Sequence, residues 1–455
     1  MWTDGSGPKE SQAETGNVDR SGGVSVSGGI SLPRFCCRRC GIWLAAAVTC
    51  CLPRLVAAQV AIRGDTVYTM SGEPIQDGMV LIVDGKIVSV GRAADISVPD
   101  GFDVLSGVVV TPGLIDAHSV VGLSGIFNVA TDQDQLESSS PIQPELRAVD
   151  AYNADEALLE WIRGFGVTTI HTGHAPGELI SGQTMIVKTS GSTVGQAVLK
   201  DSCAIAVTLS SAELKADGKS PGTRGKSVSL LRAELIRARE YAAKLARAGT
   251  REPGADAAEG EDRAVEPPAR DLRLETLNRA LERELAFMVT AERSQDIFSA
   301  LRLAEEFQLR LWLDGAAEAY LALDEIKAAG VPVLVHATMA RPVEARENLS
   351  FETASRLRAA GIPFALQSGY EPYVPKTRVV LFEAGMAAAN GLTFEQALAS
   401  ITSDAAQILG VSDRVGSLAH GRDGDVAVFD GDPFEYTTHC TAVVINGRIV
   451  SRDPH

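Results

Sequence analysis

Cysteine is nearly missing from most of this chain. Of seven cysteines in 455 residues, Cys36, Cys37, Cys40, Cys50 and Cys51 fall within the first 51 positions, leaving Cys203 and Cys440 for everything that follows. Two thiols so far apart exclude a disulfide-built scaffold. Long apolar runs are missing too. No stretch reaches the ~18 consecutive apolar residues that a spanning helix needs, which excludes a multi-span membrane protein. Basic residues are in deficit: 42 Lys and Arg stand against 58 Asp and Glu, a net charge of −16. A surface of that sign does not hold phosphate backbones, so nucleic acid is excluded as a partner. Two nucleophile and phosphate signatures are also lacking. There is no Gly-x-Ser-x-Gly elbow, and the Gly-rich stretch from Ser181-Gly182-Gln183 to Gly191-Ser192 has no Gly-Lys-Ser/Thr ending. What is present is ordinary globular material, 45% hydrophobic and 22% charged, which rules out a disordered, collagenous or coiled-coil chain.

The first 58 residues differ from the rest. Residues 1–33 are Gly/Ser-rich and weakly patterned, a composition that predicts disorder. Arg34, Arg38 and Arg39 then precede a short apolar run from Gly41 to Leu52, and Val56-Ala57-Ala58 supplies small residues at the offsets a signal peptidase reads. Residues 34–58 are thus expected to be a signal peptide cleaved before Gln59, which places the mature protein in the periplasm or outside the cell. A stop-transfer anchor is the rival reading, and Arg38-Arg39 leaves both the general and the twin-arginine export routes open. Six basic and four acidic residues precede Gln59, so the mature chain is more acidic still.

The mature chain carries two textures. Residues 59–110 and 416–455 read as short strands with tight turns, and Asp84-Gly85 and Asn446-Gly447 are strong two-residue hairpin signals. Strand-rich ends around a different middle predict a small composite β-sandwich domain built from both termini. Residues 111–415 alternate helix and strand, with helices expected at Asp155–Arg163 and Asp296–Phe307 and a strand at Val167–His171. The segments Ala328-Ala329-Gly330-Val331-Pro332 and Ala359-Ala360-Gly361-Ile362-Pro363 are near copies, each ending a helix on Gly and opening a buried strand. Such repeats imply a parallel sheet and predict an α/β fold, a (β/α)8 barrel of the TIM type. Thr393-Phe394-Glu395-Gln396 is a capping box for the last barrel helix. A charged stretch at about 213–270 is expected as an insertion, a helix over Ser229–Ala248 followed by a mobile loop at Gly249–Pro268.

Val110-Thr111-Pro112-Gly113-Leu114-Ile115-Asp116-Ala117-His118 resembles the first barrel strand of the amidohydrolase superfamily, its imidazolonepropionase-like and related barrels in particular. The C-terminal run Ser403 to Gly410, then Val415-Gly416-Ser417-Leu418 and Gly421-Arg422-Asp423-Gly424-Asp425-Val426-Ala427-Val428-Phe429, resembles the same superfamily. The resemblance implies a hydrolase acting on carbon–nitrogen bonds other than peptide bonds. It also implies metal ligands at the C-terminal ends of the strands: His-x-His on the first, Lys or Glu on the fourth, His on the fifth and sixth, Asp on the eighth. Three or so ligands and an open position let zinc lower the pKa of bound water to ~7.

This chain departs from that pattern almost everywhere. His118 matches, but its expected companion is Val120, which has no lone pair to give. The fifth-strand match places Thr290 or Glu292 where His is expected, the sixth places Gly315, the eighth ends Ser368-Gly369, and only Lys188 stands near the fourth. His118 is therefore the one ligand of the usual set, in a degenerate metal site. A rebuilt site using His171, His336 and Glu292 beside His118, with Asp314 as another carboxylate and His174 near His171, would bind a divalent metal such as zinc; without it no cofactor is expected. Tyr370, Glu371 and Tyr373 are candidate pocket residues. Two functions follow. One is a carbon–nitrogen hydrolase by family, with most metal ligands missing. The other is a catalytically silent homologue that binds a small molecule in the barrel mouth, or pairs with a second copy or with an active homologue.

Overall fold

The computed structural model describes residues 59–216, 218–249, 267–370 and 379–454. The expected disordered extension and signal peptide, most of the Gly249–Pro268 loop, and Glu371 and Tyr373 lie outside the described residues. The chain begins with β1 (Gln59–Val67), β2 (Ile75–Val83), β3 (Lys86–Arg92) and β4 (Asp103–Pro112). It then contributes β5 (Leu114–Ser119), β6 (Val167–Thr172), β7 (Ile180–Gln183), β8 (Met185–Lys188), β9 (Val198–Lys200) and β10 (Ala204–Thr208). After these come β11 (Ala286–Thr290), β12 (Leu311–Gly315), β13 (Val333–Val335) and β14 (Phe364–Leu366), and finally β15 (Val426–Phe429), β16 (Cys440–Ile445) and β17 (Arg448–Ser451).

Strands from both ends share one seven-stranded sheet, in the order β17-β16-β15-β4-β1-β2-β3, antiparallel except where β1 meets β4. Alternate residues such as Val60, Ile62, Val80, Ile82, Val428 and Val444 form its core, as period-2 patterning requires. The two hairpin turns form as their sequences dictate. Asp84 and Gly85 have φ of 51° and 79°, Asn446 and Gly447 of 49° and 72°, the left-handed pair of a type I′ turn. The turns also meet: a Cβ on Gly447 would lie 2.9 Å from the Cα of Gly85. The sheet is thus folded so that its distant hairpins touch.

The remaining strands follow the order expected of the barrel, with two departures. β5 and β6 are parallel, and β10 to β14 run parallel in chain order. Between them Ile180–Lys188 forms one bent strand, broken at Thr184, with β8 antiparallel to β6 and β7 antiparallel to β10. These strands form two sheets, of six and four strands, that share this one reversed, bent strand. The seam is the second departure, because β14 lies against β5 without a backbone ladder among the described residues. Side chains close it instead: the Ser368 backbone N–H donates to Asp116 Oδ1 at 3.0 Å and its hydroxyl to Asp116 Oδ2 at 2.5 Å. The Ile115 N–H turns away to the Ile401 carbonyl at 2.7 Å.

Helices pack outside these strands. Leu323–Ala329 and Thr353–Ala360, the near copies, end on Gly330 and Gly361 at φ of 64° and 74°, and the Thr393 capping box is formed. The charged stretch forms a helix with wider bounds than the expected Ser229–Ala248. Its helix, Arg224–Gly249, connects the parallel strands β10 and β11 and buries Leu231, Leu235, Ala238 and Tyr241 as one stripe. Arg224 pairs with Asp296 at 2.6 Å and Arg232 with Glu306 at 2.8 Å, fixing it to the helix Ser294–Phe307. No helix among the described residues is long and apolar enough to cross a membrane.

Candidate functional site

The C-terminal ends of the parallel strands bring together a fully buried polar cluster. β5 supplies Asp116 and His118, β6 His171, β11 Thr290, and β12 Asp314; Glu292, Gln367 and Ser368 follow β11 and β14 directly. Asp314 is the hub. His118 Nδ1 lies 2.8 Å from its Oδ1, the Thr290 hydroxyl donates to Oδ2 at 2.6 Å, and the Gln367 amide donates to Oδ1 at 2.9 Å. Burial raises the carboxyl pKa, but the charge and hydrogen bond of His118 with the other two donors outweigh it, holding Asp314 below the usual carboxylate range. An ionised carboxylate only accepts, so His118 carries its proton on Nδ1.

His171 is committed on both sides. Its Nδ1 lies 2.7 Å from the Ala117 carbonyl and its Nε2 2.7 Å from the Thr184 hydroxyl. A carbonyl cannot donate, so Nδ1 bears the proton and the Nε2 lone pair receives the threonine hydrogen. Burial and then the neighbouring His118 depress its pKa to about 3, so the ring is neutral. Thr184 is the residue at which the bent strand breaks, and the reversed strand is thus what delivers this hydroxyl.

Two carboxyls take the opposite shift. Glu292 accepts the Ala317 N–H and the Tyr370 hydroxyl, each at 3.1 Å, and burial pushes its pKa up to about 7. Gly315 explains its fit. A Cβ there would sit 2.7 Å from one Glu292 oxygen, so the glycine found where the superfamily pattern expects a ligand makes room for a carboxyl. Asp116, held by both Ser368 donors, is pushed by burial to about 6.

The residues singled out from sequence separate accordingly. His118 and His171 are neighbours, their ring centres 5.9 Å apart, and Tyr370 lies 5.6 Å from His118 and hydrogen-bonds Glu292. His336 instead has its nitrogens 3.3 Å from the Ala337 carbonyl and 3.2 Å from the Thr353 hydroxyl, and burial lowers its pKa to about 4. His174 packs its ring on Gly182, has no hydrogen-bond partner among the described residues, and is lowered to about 4 by burial. Lys188 points to another role entirely. It is buried in ion pairs with Asp423 and Asp425, so the Asp-Gly-Asp of the C-terminal motif anchors a strand rather than a ligand. Among the described residues no three His, Cys, Asp or Glu side chains are arranged to hold a metal ion. Neither Cys203 nor Cys440 is an activated thiol, since burial raises them to about 11 and about 12. Sequence reasoning passed over Gln367, Thr184 and the Asp116–Ser368 closure. Only Ser368, in the Ser368-Gly369 pair that stands where Thr-Asp is expected, carried a signal.

Comparison with known proteins gives one consistent picture. A model described as the amidohydrolase family matches residues 238–451. An imidazolonepropionase of Rhizorhabdus wittichii is 27% identical over 399 residues, which are 81% of this chain and 92% of that one. The crystal structure of an amidohydrolase from Thermotoga maritima matches with a TM-score of 0.79 and 26% identity, covering 87% of this chain and all of that one. A molinate hydrolase structure, at 14% identity and a TM-score of 0.53, shares the fold and covers 87% of this chain.

Proposed function

Because the chain belongs to the amidohydrolase superfamily, we propose that it is a member whose metal-bearing strand ends have become an internal hydrogen-bonded cluster, with metal-dependent carbon–nitrogen hydrolysis weak or lost and a small molecule held at the barrel mouth instead. The observation that carries this reading is His171. Zinc needs about three protein ligands, each offering a lone pair. The one lone pair of neutral His171 is engaged by Thr184 and Val120 offers nothing, so on the first two strands only His118 could ligate, through Nε2 while Asp314 holds Nδ1. The residues present therefore do not fit the divalent metal that the superfamily's chemistry implies. The test is an amide and cyclic-amide hydrolysis panel run with added zinc and after chelation, beside a metal-bearing relative. Rates indistinguishable from the uncatalysed reaction in both conditions support the proposal. Chelator-sensitive turnover that disappears in His118→Ala overturns it.

One observation favours a second reading, hydrolysis without metal. Glu292 titrates near neutrality beside the Tyr370 hydroxyl, which is the poise a general acid–base group needs. On this reading turnover in the same panel survives chelation and is abolished by Glu292→Gln.

Export of the mature protein is part of the proposal and rests on the pattern from Arg34 to Ala58. Protein isolated from its host is expected to begin near Gln59. Sequencing that returns Met1 from a cytoplasmic fraction contradicts it. Pairing with a second copy or with an active homologue is proposed on the same footing, as the way a silent barrel is put to use.

A further inference from the structure

The near-copy segments of the sequence have no part in the strand-end cluster, but they build something at the opposite end of the barrel. Gly330-Val331-Pro332 and Gly361-Ile362-Pro363 lie side by side as the lining of a cavity of about 540 Å³ at the N-terminal ends of β12, β13 and β14. Neither glycine has an atom within 4 Å of where a Cβ would stand, so both open onto free space.

The cavity's charge is opposite to that of the chain. In a protein of net charge −16, three arginines, Arg283, Arg310 and Arg358, line it against a single carboxylate, Asp404. That carboxylate is already used, because Arg358 pairs with Asp404 at 2.5 Å while stacking 4.9 Å from the centre of the Phe364 ring. Arg310 is braced over the buried Trp312 ring at 5.2 Å, and neither it nor Arg283 has an ion pair or a side-chain hydrogen bond among the described residues. Two guanidiniums therefore face this concave site without an ion pair among the described residues, Arg283 also lining the adjoining cavity that holds Glu305 and Glu325.

Arg283 adds an independent observation. It follows the helix Leu272–Leu281 with φ of 65°, the left-handed conformation that favours glycine and strains every side chain. A glycine would relieve the backbone at no cost in packing, since Arg283 is exposed. The conformation caps the helix, with the Arg283 N–H on the Ala280 carbonyl at 3.0 Å and the Glu284 N–H on the Arg279 carbonyl at 2.9 Å, but packing does not require arginine rather than glycine there.

We propose that this cavity is a binding site for a small polyanion, a molecule carrying phosphate or multiple carboxylate groups, clamped by Arg283 and Arg310. Guanidinium forks match both kinds of oxyanion bidentately, and the Arg310 fork is pre-set by its stacking on Trp312. The site lies at the end of the strands away from the His118–Asp314 cluster, so it does not depend on whether that cluster is active.

Calorimetric titration of the purified full-length protein with pyrophosphate in one arm and citrate in the other tests this and separates the two sources. One or both is expected to saturate at one per chain with Kd below about 1 mM, as a few charge-assisted bonds allow. Arg310→Gln is expected to weaken binding about tenfold or more, the value of a lost charged hydrogen bond. Arg283→Gly should weaken it similarly while leaving the Tm unchanged or raised, which separates a binding role from a structural one. Absence of saturation by either anion up to about ten times that concentration, or wild-type affinity in both variants, overturns the proposal.

Discussion

Asp314 shows how far single residues can be read. Its buried charge is sustained by three donors from three other strand ends, His118, Thr290 and Gln367, none of which is near it in sequence. His118 and Glu292 were legible as chemistry-bearing residues because their types and strand-end positions are visible along the chain. Thr184 was not, because its meaning comes from the break in a reversed strand that brings its hydroxyl to 2.7 Å from the His171 ring. Glu292 gives a residue-scale prediction. Its folded pKa of about 7 lies above its ordinary value, so the native state keeps a proton that the unfolded chain releases, and this contribution to stability is lost as pH rises from about 4.5 through 7. His171, His174 and His336 act oppositely, since their lowered values favour folding as pH rises towards 6.5. The Glu292 effect is therefore read as a difference. Glu292→Gln should gain on the wild type by up to about 1 kcal/mol per pH unit across that window and then level off, as followed by urea unfolding at each pH. A difference that is flat with pH would show that Glu292 is not held protonated.

At the scale of elements, whatever local chemistry decides was legible. The Asp84-Gly85 and Asn446-Gly447 turns, the glycine caps at Gly330 and Gly361, and the Thr393 capping box each follow from residues adjacent in sequence. The reversed strand was not legible. Every residue from Ile180 to Lys188 is buried, so no alternation of polar and apolar positions marks a face or a direction. The same physics lets two glycines of similar backbone be ranked. Gly361, at φ 74° in open space, should cost about 1 kcal/mol as Gly361→Ala, the strain of a left-handed alanine alone. Gly447→Ala should cost clearly more, because its Cβ also meets the backbone of Gly85 at 2.9 Å, where neither hairpin can yield without moving the other. Chemical denaturation of the two variants checks the order; equal losses would mean the hairpin contact is soft.

For the whole molecule, the split arrangement of strands was readable from texture at the two ends, because small alternating strands and tight turns look unlike the helix–strand repeats between them. What ties these parts together was not readable. Lys188, Lys86 and Arg414 surround Asp423, and against the cost of burial the Arg414 hydrogen bonds and both lysines bring that carboxyl down to about 2. The C-terminal motif that signals the superfamily is thus in part a clasp between the terminal sheet and the barrel, and such motifs can outlast the chemistry they accompany. On the proposed function, the chain keeps the superfamily's framework while its strand ends satisfy one another instead of a metal. Elemental analysis of the purified full-length protein, after equilibration with excess zinc and exhaustive dialysis, tests it most directly. Far less than one equivalent of divalent metal per chain is expected, unchanged in His118→Ala. One retained equivalent, lost on substitution of His118 or His171, would contradict it.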